Sequence, residues 1–146
     1  MPMYKHILLP TDGSELSKKA IAHGIGLAKA ADAKVTALVV SMPFDSLVVQ
    51  LNASAGALDQ YEQLVAKQAE KYLGMVRDAA TKAGIKCDTL CVQHEQPYKG
   101  IIETAKKHGC DLIVMASHGL SGISAMLGSE TLKVLTHTSV PVLVYR

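Results

Sequence analysis

The sequence has no tryptophan, one phenylalanine, and only 4% aromatic residues. That scarcity argues against a base-stacking platform for single-stranded nucleic acid. Charge argues the same way. Fifteen basic and thirteen acidic residues are interspersed, for a net charge of +2, and no basic stripe is present. Three cysteines, Cys87, Cys91 and Cys110, are an odd number without a CxxC. Cys87 and Cys91 share one side of an expected strand but lie too far apart along it for a disulfide. All three are expected to be buried thiols acting as small hydrophobes. The six histidines show no HxxxH spacing, so no zinc site is expected. The apolar run in MPMYKHILLP is too short for a signal peptide or a membrane span, which makes the cytoplasm the expected compartment. Neither GxxxxGK[ST] nor GxGxxG occurs, so the P-loop and the dinucleotide fingerprint are excluded.

What is present is a 146-residue chain, 49% apolar, enough for one domain that buries roughly two-thirds of its unfolded surface. Short apolar runs alternate with helical patterns. Strands are expected at His6–Leu9, Lys34–Val40, Lys86–Val92, Asp111–Ala116 and Pro141–Tyr145. Proline at the start of the last strand suits a sheet edge. A first helix over Glu15–Ala31 has the inward stripe Ala20, Ile21, Gly24, Ile25 and Ala28. Leu58 to Ala83 repeats apolar residues every three or four positions and stops at Gly84. Pro97 opens a helix running to Lys107. Ser41 to Leu58 is irregular and reads as either a lid or a loop.

This β-α-β-α-β-α-β-α-β order predicts an α/β fold: an open five-stranded parallel sheet, order 3-2-1-4-5, with helices on both faces. Ligands of such sheets bind beyond the strands' C-terminal ends, where the strand order reverses. Two loops meet there, Pro10–Ser14 and Ala116–Ser129.

The second loop belongs to the most informative stretch, DLIVMASHGLSGISAMLGSETLKVL, from Asp111 to Leu135. An uncharged strand leads through glycines to a helix start, with Ser129 as the expected N-cap and Leu132, Leu135 and Val134 as the apolar positions. Free N–H groups and the helix dipole favour an anion at such a place, and glycine lets it approach the backbone. The bland alternative is a turn glycine and a cap glycine. Asp12, in the other loop, is either a turn residue or a carboxylate for ribose hydroxyls. Ser117 and His118 are adjacent, but no GxSxG elbow surrounds them and neighbours in a turn seldom point at each other, so no hydrolytic pair is expected. His118 reads instead as a loop residue near phosphate.

ILLPTDGSELSKKAIAHGIGLA at the front and DLIVMASHGLSGISAMLGSETLKVLTHTSVPVLVYR at the back together resemble the universal stress protein family. The resemblance implies the five-stranded fold, a homodimer formed through the last strand, and, in one branch, binding of ATP or another adenine nucleotide through Gly-x2-Gly-x9-Gly-[Ser/Thr]. Carried over, Asp12 contacts the ribose, Pro10 and Thr11 line the adenine side, and Val40 meets the adenine through its backbone. Met115, Gly119, Gly128, Ser129 and Glu130 surround ribose and phosphates. Ala116 stands where the first glycine belongs, and eight residues rather than nine separate Gly119 from Gly128. The shorter loop predicts little gain from phosphates beyond the first. Any Mg²⁺ would arrive with the nucleotide, since no paired carboxylates mark a metal site. A non-binding dimeric regulator and a slow ATP hydrolase are the rival functions.

Overall fold

The computed structural model describes residues 3–43, 56–119 and 127–146. Strands β1 (His6–Pro10), β2 (Lys34–Ser41), β3 (Cys87–Gln93), β4 (Leu112–Ala116) and β5 (Val142–Tyr145) alternate with helices α1 (Glu15–Ala31), α2 (Ala57–Lys82), α3 (Pro97–Lys107) and α4 (Ser129–His137). The sheet order is β3-β2-β1-β4-β5 and every pairing is parallel. Most expected boundaries agree to within one residue. The lid-or-loop stretch from Ser41 to Leu58 falls mainly on residues 44–55, outside the described residues.

Period-two alternation along doubly covered strands makes two cores. Ile7, Leu9, Val35, Ala37, Leu112 and Val114 face α1 and α2, which supply Ile21, Ile25, Ala28, Ala69, Leu73 and Val76. Leu8, Leu38, Ile113 and Met115 face the other way, toward Ile101 and Ala105 of α3 and Val134 of α4. The expected stripe of α1, Ala20, Ile21, Gly24, Ile25 and Ala28, is the buried one. Ser14 caps α1 by accepting from the Ser17 N–H at 3.1 Å. Gly84 follows α2 with φ +74°, a conformation that glycine adopts at little cost.

Pro10 belongs to β1, although a strand ending at Leu9 is expected from the sequence. A central strand tolerates it for a geometric reason. The Thr11 N–H turns to Leu38 O on β2 (2.8 Å), so by backbone alternation the Pro10 nitrogen turns toward β4. The β1–β4 ladder pairs Ile7 with Leu112 and Leu8 with Ile113, so it has ended below Pro10, where no donor is needed. At the other end of β1, Asp111 accepts from the Lys5 N–H (2.9 Å) and the His6 N–H (3.1 Å), tying the strand's start to β4.

Three expectations need correction. In α4 the buried positions are Thr131 and Val134, while Leu132 and Leu135 are 54% and 39% exposed. On the inward face the Thr131 hydroxyl donates to Ala116 O at 2.9 Å, beside Val134 in the core. Leu58 in α2 is exposed too, because burial on that helix begins only at Ala69. The cysteines are not uniformly buried: Cys110 is, Cys87 is half-buried and Cys91 is exposed. Cys91 lies near the C-terminal end of β3, an edge strand. Burial pushes the Cys110 thiol up to about 11, with neighbouring Asp111 adding to the effect.

Two glycines on α1 test the packing. A Cβ on Gly24 would lie 2.5 Å from Leu9 Cδ2 and 3.4 Å from Val114 Cγ1. Gly24→Val should therefore destabilise by about 1–3 kcal/mol through overpacking. Gly26 faces open space, and Gly26→Ala should stabilise by about 0.5–1 kcal/mol through helix propensity. Urea denaturation of both variants checks the pair; equal effects would contradict this packing of α1.

Candidate functional site

Above the end of the β1–β4 ladder lies a cavity of about 460 Å³, a size suited to a small ligand. The structure places every site residue expected from the sequence on its wall: Pro10, Thr11, Asp12, Val40, Met115, Ala116, Gly119, Gly128, Ser129 and Glu130. His118, read from the sequence as a loop residue near the site, lines it too, and the structure adds Ser17, Leu38, Pro97, Ile101 and Thr131. Leu38, Val40, Ile101 and Met115 make an apolar side, supplied by β2, α3 and β4. Asp12, the Gly119 turn and the first turn of α4 make a polar side.

The polar side is built from the β1–α1 turn upward. Thr11 Oγ1 lies 2.7 Å from Ser17 Oγ and accepts from the Gly13 N–H at 3.2 Å. Asp12 Oδ1 accepts from the Ser14 N–H at 3.0 Å, an Asx turn that holds the carboxylate while leaving the residue exposed. Gly13, at φ +80°, lies against the ring of Tyr72, leaving no room for a side chain. Asp12 thus has the turn role and also stands on the cavity wall.

The β4–α4 loop closes from the other side. Ser117 N–H donates to Tyr145 O at 2.8 Å, extending the β4–β5 ladder beyond the strand, and Ser117 O accepts from Gly128 N–H at 2.7 Å. Gly119 lies so close to Asp12 Oδ2 that a side chain there would displace the carboxylate. At Gly128 the close approach is made by the protein itself: a Cβ would sit 3.1 Å from His118 Cα. Gly128, not Ser129, is the N-cap residue, and it makes no side-chain cap hydrogen bond. Ser129 is instead the first helical residue, because Gly128 is the one in extended backbone (ψ 156°). The expected wrap of residues 120–126 around phosphate lies outside the described residues.

Ser117 and His118 do point at each other, contrary to expectation, with Oγ 3.2 Å from Nδ1. Ser117 is 1% exposed and does not line the cavity, so its hydroxyl braces the loop, while His118 also reaches the cavity wall. Glu130 has a role that spacing did not reveal. Its Oε2 accepts from the Tyr98 N–H at 2.8 Å, capping the start of α3, where Gln96 offers no side-chain cap. A carboxylate in the first turn of a helix is a signal for its own helix; that it serves another is set by the 32-residue return of the chain. The missed wall residues Leu38, Pro97 and Ile101 look like ordinary core and helix-start residues in the sequence.

Fold and site together define a doubly wound α/β domain with a ligand-sized crevice at its switch point. The universal stress protein family model matches residues 3–146, and the chain belongs to that family. Universal stress protein MJ0531 of Methanocaldococcus jannaschii is 34% identical over 147 residues, covering 99% of this chain and 83% of that protein. Universal stress protein YxiE of Bacillus subtilis is 32% identical over 149 residues, covering 99% and 100%. Among solved structures, hypothetical protein MJ0577 superposes with a TM-score of 0.83 at 27% identity, covering 98% of this chain and 96% of that one. A universal stress protein solved in complex with cAMP shares the fold at a TM-score of 0.69 and 24% identity, covering 98% and 97%. Another, from Archaeoglobus fulgidus in complex with dAMP, shares it at 0.64 and 16%, covering all of both chains. Among the described residues no helix is long and apolar enough to cross a membrane.

The hydroxyl pairing beneath the cavity can be tested directly. Thr11→Val keeps the shape but strands the buried Ser17 hydroxyl and the Gly13 N–H. It should cost about 1–3 kcal/mol in urea denaturation, the scale of a buried polar group left unpaired. An unchanged midpoint would mean that water replaces the threonine.

Proposed function

We propose that the crevice binds an adenine nucleotide and that the protein is a cytoplasmic stress or signalling protein whose state reports that nucleotide, not an efficient enzyme. The observation that carries this reading is a convergence. A carboxylate after β1, a glycine turn after β4 and a helix N-terminus share one cavity whose opposite wall is apolar. That division suits a base on one side and a sugar phosphate on the other. Leu38, Val40, Ile101 and Met115 would flank the base, Asp12 would accept from the ribose hydroxyls, and the first turn of α4 would receive phosphate. The neighbours solved with cAMP and dAMP support adenine as the base that this fold accommodates. Among the described residues no cluster of three or more His, Cys, Asp or Glu could hold a metal. We propose accordingly that any Mg²⁺ enters with the nucleotide. The Ser117–His118 pair gives hydrolysis no support, because Ser117 is buried off the cavity wall even though His118 reaches it.

Isothermal calorimetry with adenosine and AMP tests the reading. Both should bind, and Asp12→Ala should weaken them by about 1–3 kcal/mol, the scale of a charge-assisted hydrogen bond. No heat from either, at concentrations able to detect millimolar affinity, would leave the non-binding regulator as the function.

We also propose a homodimer through β5. This strand is an edge, and its four residues, Val142, Leu143, Val144 and Tyr145, are apolar or aromatic and only partly covered. Such an edge invites pairing. The carbonyls of Pro141 and Tyr145 accept from Ile113 and Ser117 on the β4 side, so the polar groups of Val142 and Val144 turn outward. Val144→Pro should remove an outward donor, keep the fold and yield a monomer in sedimentation equilibrium. A dimer of unchanged affinity would remove β5 as the interface.

A further inference from the structure

At the end of the sheet opposite the crevice, one ring joins three elements. Among the described residues His6 is the only buried side chain that titrates near neutral pH; it is 6% exposed and begins β1. Its Nε2 lies 2.6 Å from Thr36 Oγ1 on β2, itself 1% exposed. The ring also hydrogen-bonds the backbone carbonyl of His108, the residue that ends α3. We propose that this ring is an acid-sensitive latch: neutral, it holds the starts of β1 and β2 against the end of α3, and its protonation loosens that end of the sheet while the crevice end stays paired. The hydrogen bonds set the preference. A carbonyl only accepts, so the ring nitrogen facing His108 carries the hydrogen, and Nε2 accepts from the Thr36 hydroxyl. That hydroxyl makes no other hydrogen bond among the described residues. A second proton on the ring turns Nε2 into a donor and leaves the Thr36 hydrogen buried without an acceptor. Burial of the charge is the largest influence on the ring and pushes its pKa below the ordinary 6.5. The charges around it divide. Lys34, its register partner on β2, opposes the cation, while Asp111 at the start of β4 and Asp88 on β3 favour it, as does the His108 carbonyl. Asp111 is already engaged by the N–H groups of Lys5 and His6, and Lys5, Lys106 and Lys107 are exposed.

The unfolded ring takes up its proton as pH falls below 6.5, and the folded ring does so only at lower pH. Between the two values the unfolded chain binds more protons, so stability that is complete above 6.5 is lost as pH falls toward the folded value. Loosening should show where the ring holds, at the Lys34 N–H bonded to Lys5 O (3.1 Å) and the Asp111 N–H bonded to His6 O (2.9 Å). The bonds of Thr11 N–H to Leu38 O and Ser117 N–H to Tyr145 O, both 2.8 Å, lie at the far end of the strands. His6→Gln keeps a donor and an acceptor but does not titrate, and the other histidines are common to both proteins. Urea denaturation at about pH 7.5 and about pH 5 compares them. On acidification the wild-type unfolding constant should rise severalfold more than that of the variant; the same rise in both overturns the proposal. The wild type alone supplies a second reading should His6→Gln not fold. By NMR its His6 ring should titrate below 6.5. Amide exchange, corrected for its intrinsic pH dependence, should quicken in acid at Lys34 and Asp111 while Thr11 and Ser117 hold. A ring that titrates at or above 6.5, or exchange that quickens equally at both ends of the sheet, overturns the latch.

Discussion

The ladder between β1 and β4 ends early, and the site follows from that. β1 stays paired with β2 as far as Pro10 and Leu38, and β4 stays paired with β5 as far as Ala116 and Tyr145. Between them the pairing involves only Ile7 with Leu112 and Leu8 with Ile113. Each central strand follows its outer neighbour, and the two halves of the sheet part above the core. A proline whose nitrogen faces the gap completes the separation, since it has no hydrogen with which to close it. Right-handed crossovers leave these two strands in opposite directions, so two loops border the opening.

Packing below the gap is apolar and paired; above it, polar groups are satisfied locally. Thr11, Ser14 and Ser17 bond among themselves, and Ser117 bonds to Tyr145 and Gly128. No buried side-chain nitrogen or oxygen among the described residues lacks a partner. A crevice wall supported in this way is pre-organised, which lowers the ordering cost of receiving a ligand. Glu130 extends the same economy between elements: one carboxylate on α4 orients the start of α3 and so sets the position of Pro97 and Ile101 on the apolar wall.

Most of the fold was legible because its signals are repetitive. Buried parallel strands read as uncharged runs, and α1 presents a clean stripe from Ala20 to Ala28. That these residues would gather around one cavity was legible through topology combined with the resemblance of the two loops to a known family. What escaped was set by single contacts. The inward face of α4 carries Thr131, bonded to Ala116 O, and Val134, against an apolar count that favours Leu132 and Leu135. Ser129 looks like a cap, yet the turn places Gly128 there. Ser117 and His118 face each other because both neighbours of the loop, Tyr145 and Gly128, bind the Ser117 backbone and leave its side chain one direction. Each of these depends on groups distant in the sequence, where periodicity carries no information.

The two backbone bonds of Ser117 make it a joint. Its N–H is the last rung of the edge strand, and its carbonyl holds the residue that begins α4. Fraying of β5 from its end therefore releases the amide of Ser117 first and loosens Gly128 next. Local opening of the sheet edge and integrity of the crevice's polar wall are thus coupled. Whatever steadies the edge, a second copy included, lengthens the lifetime of the crevice in its ligand-ready shape. Amide exchange at Ser117 and Gly128 would record that coupling, although neither residue lies within a strand.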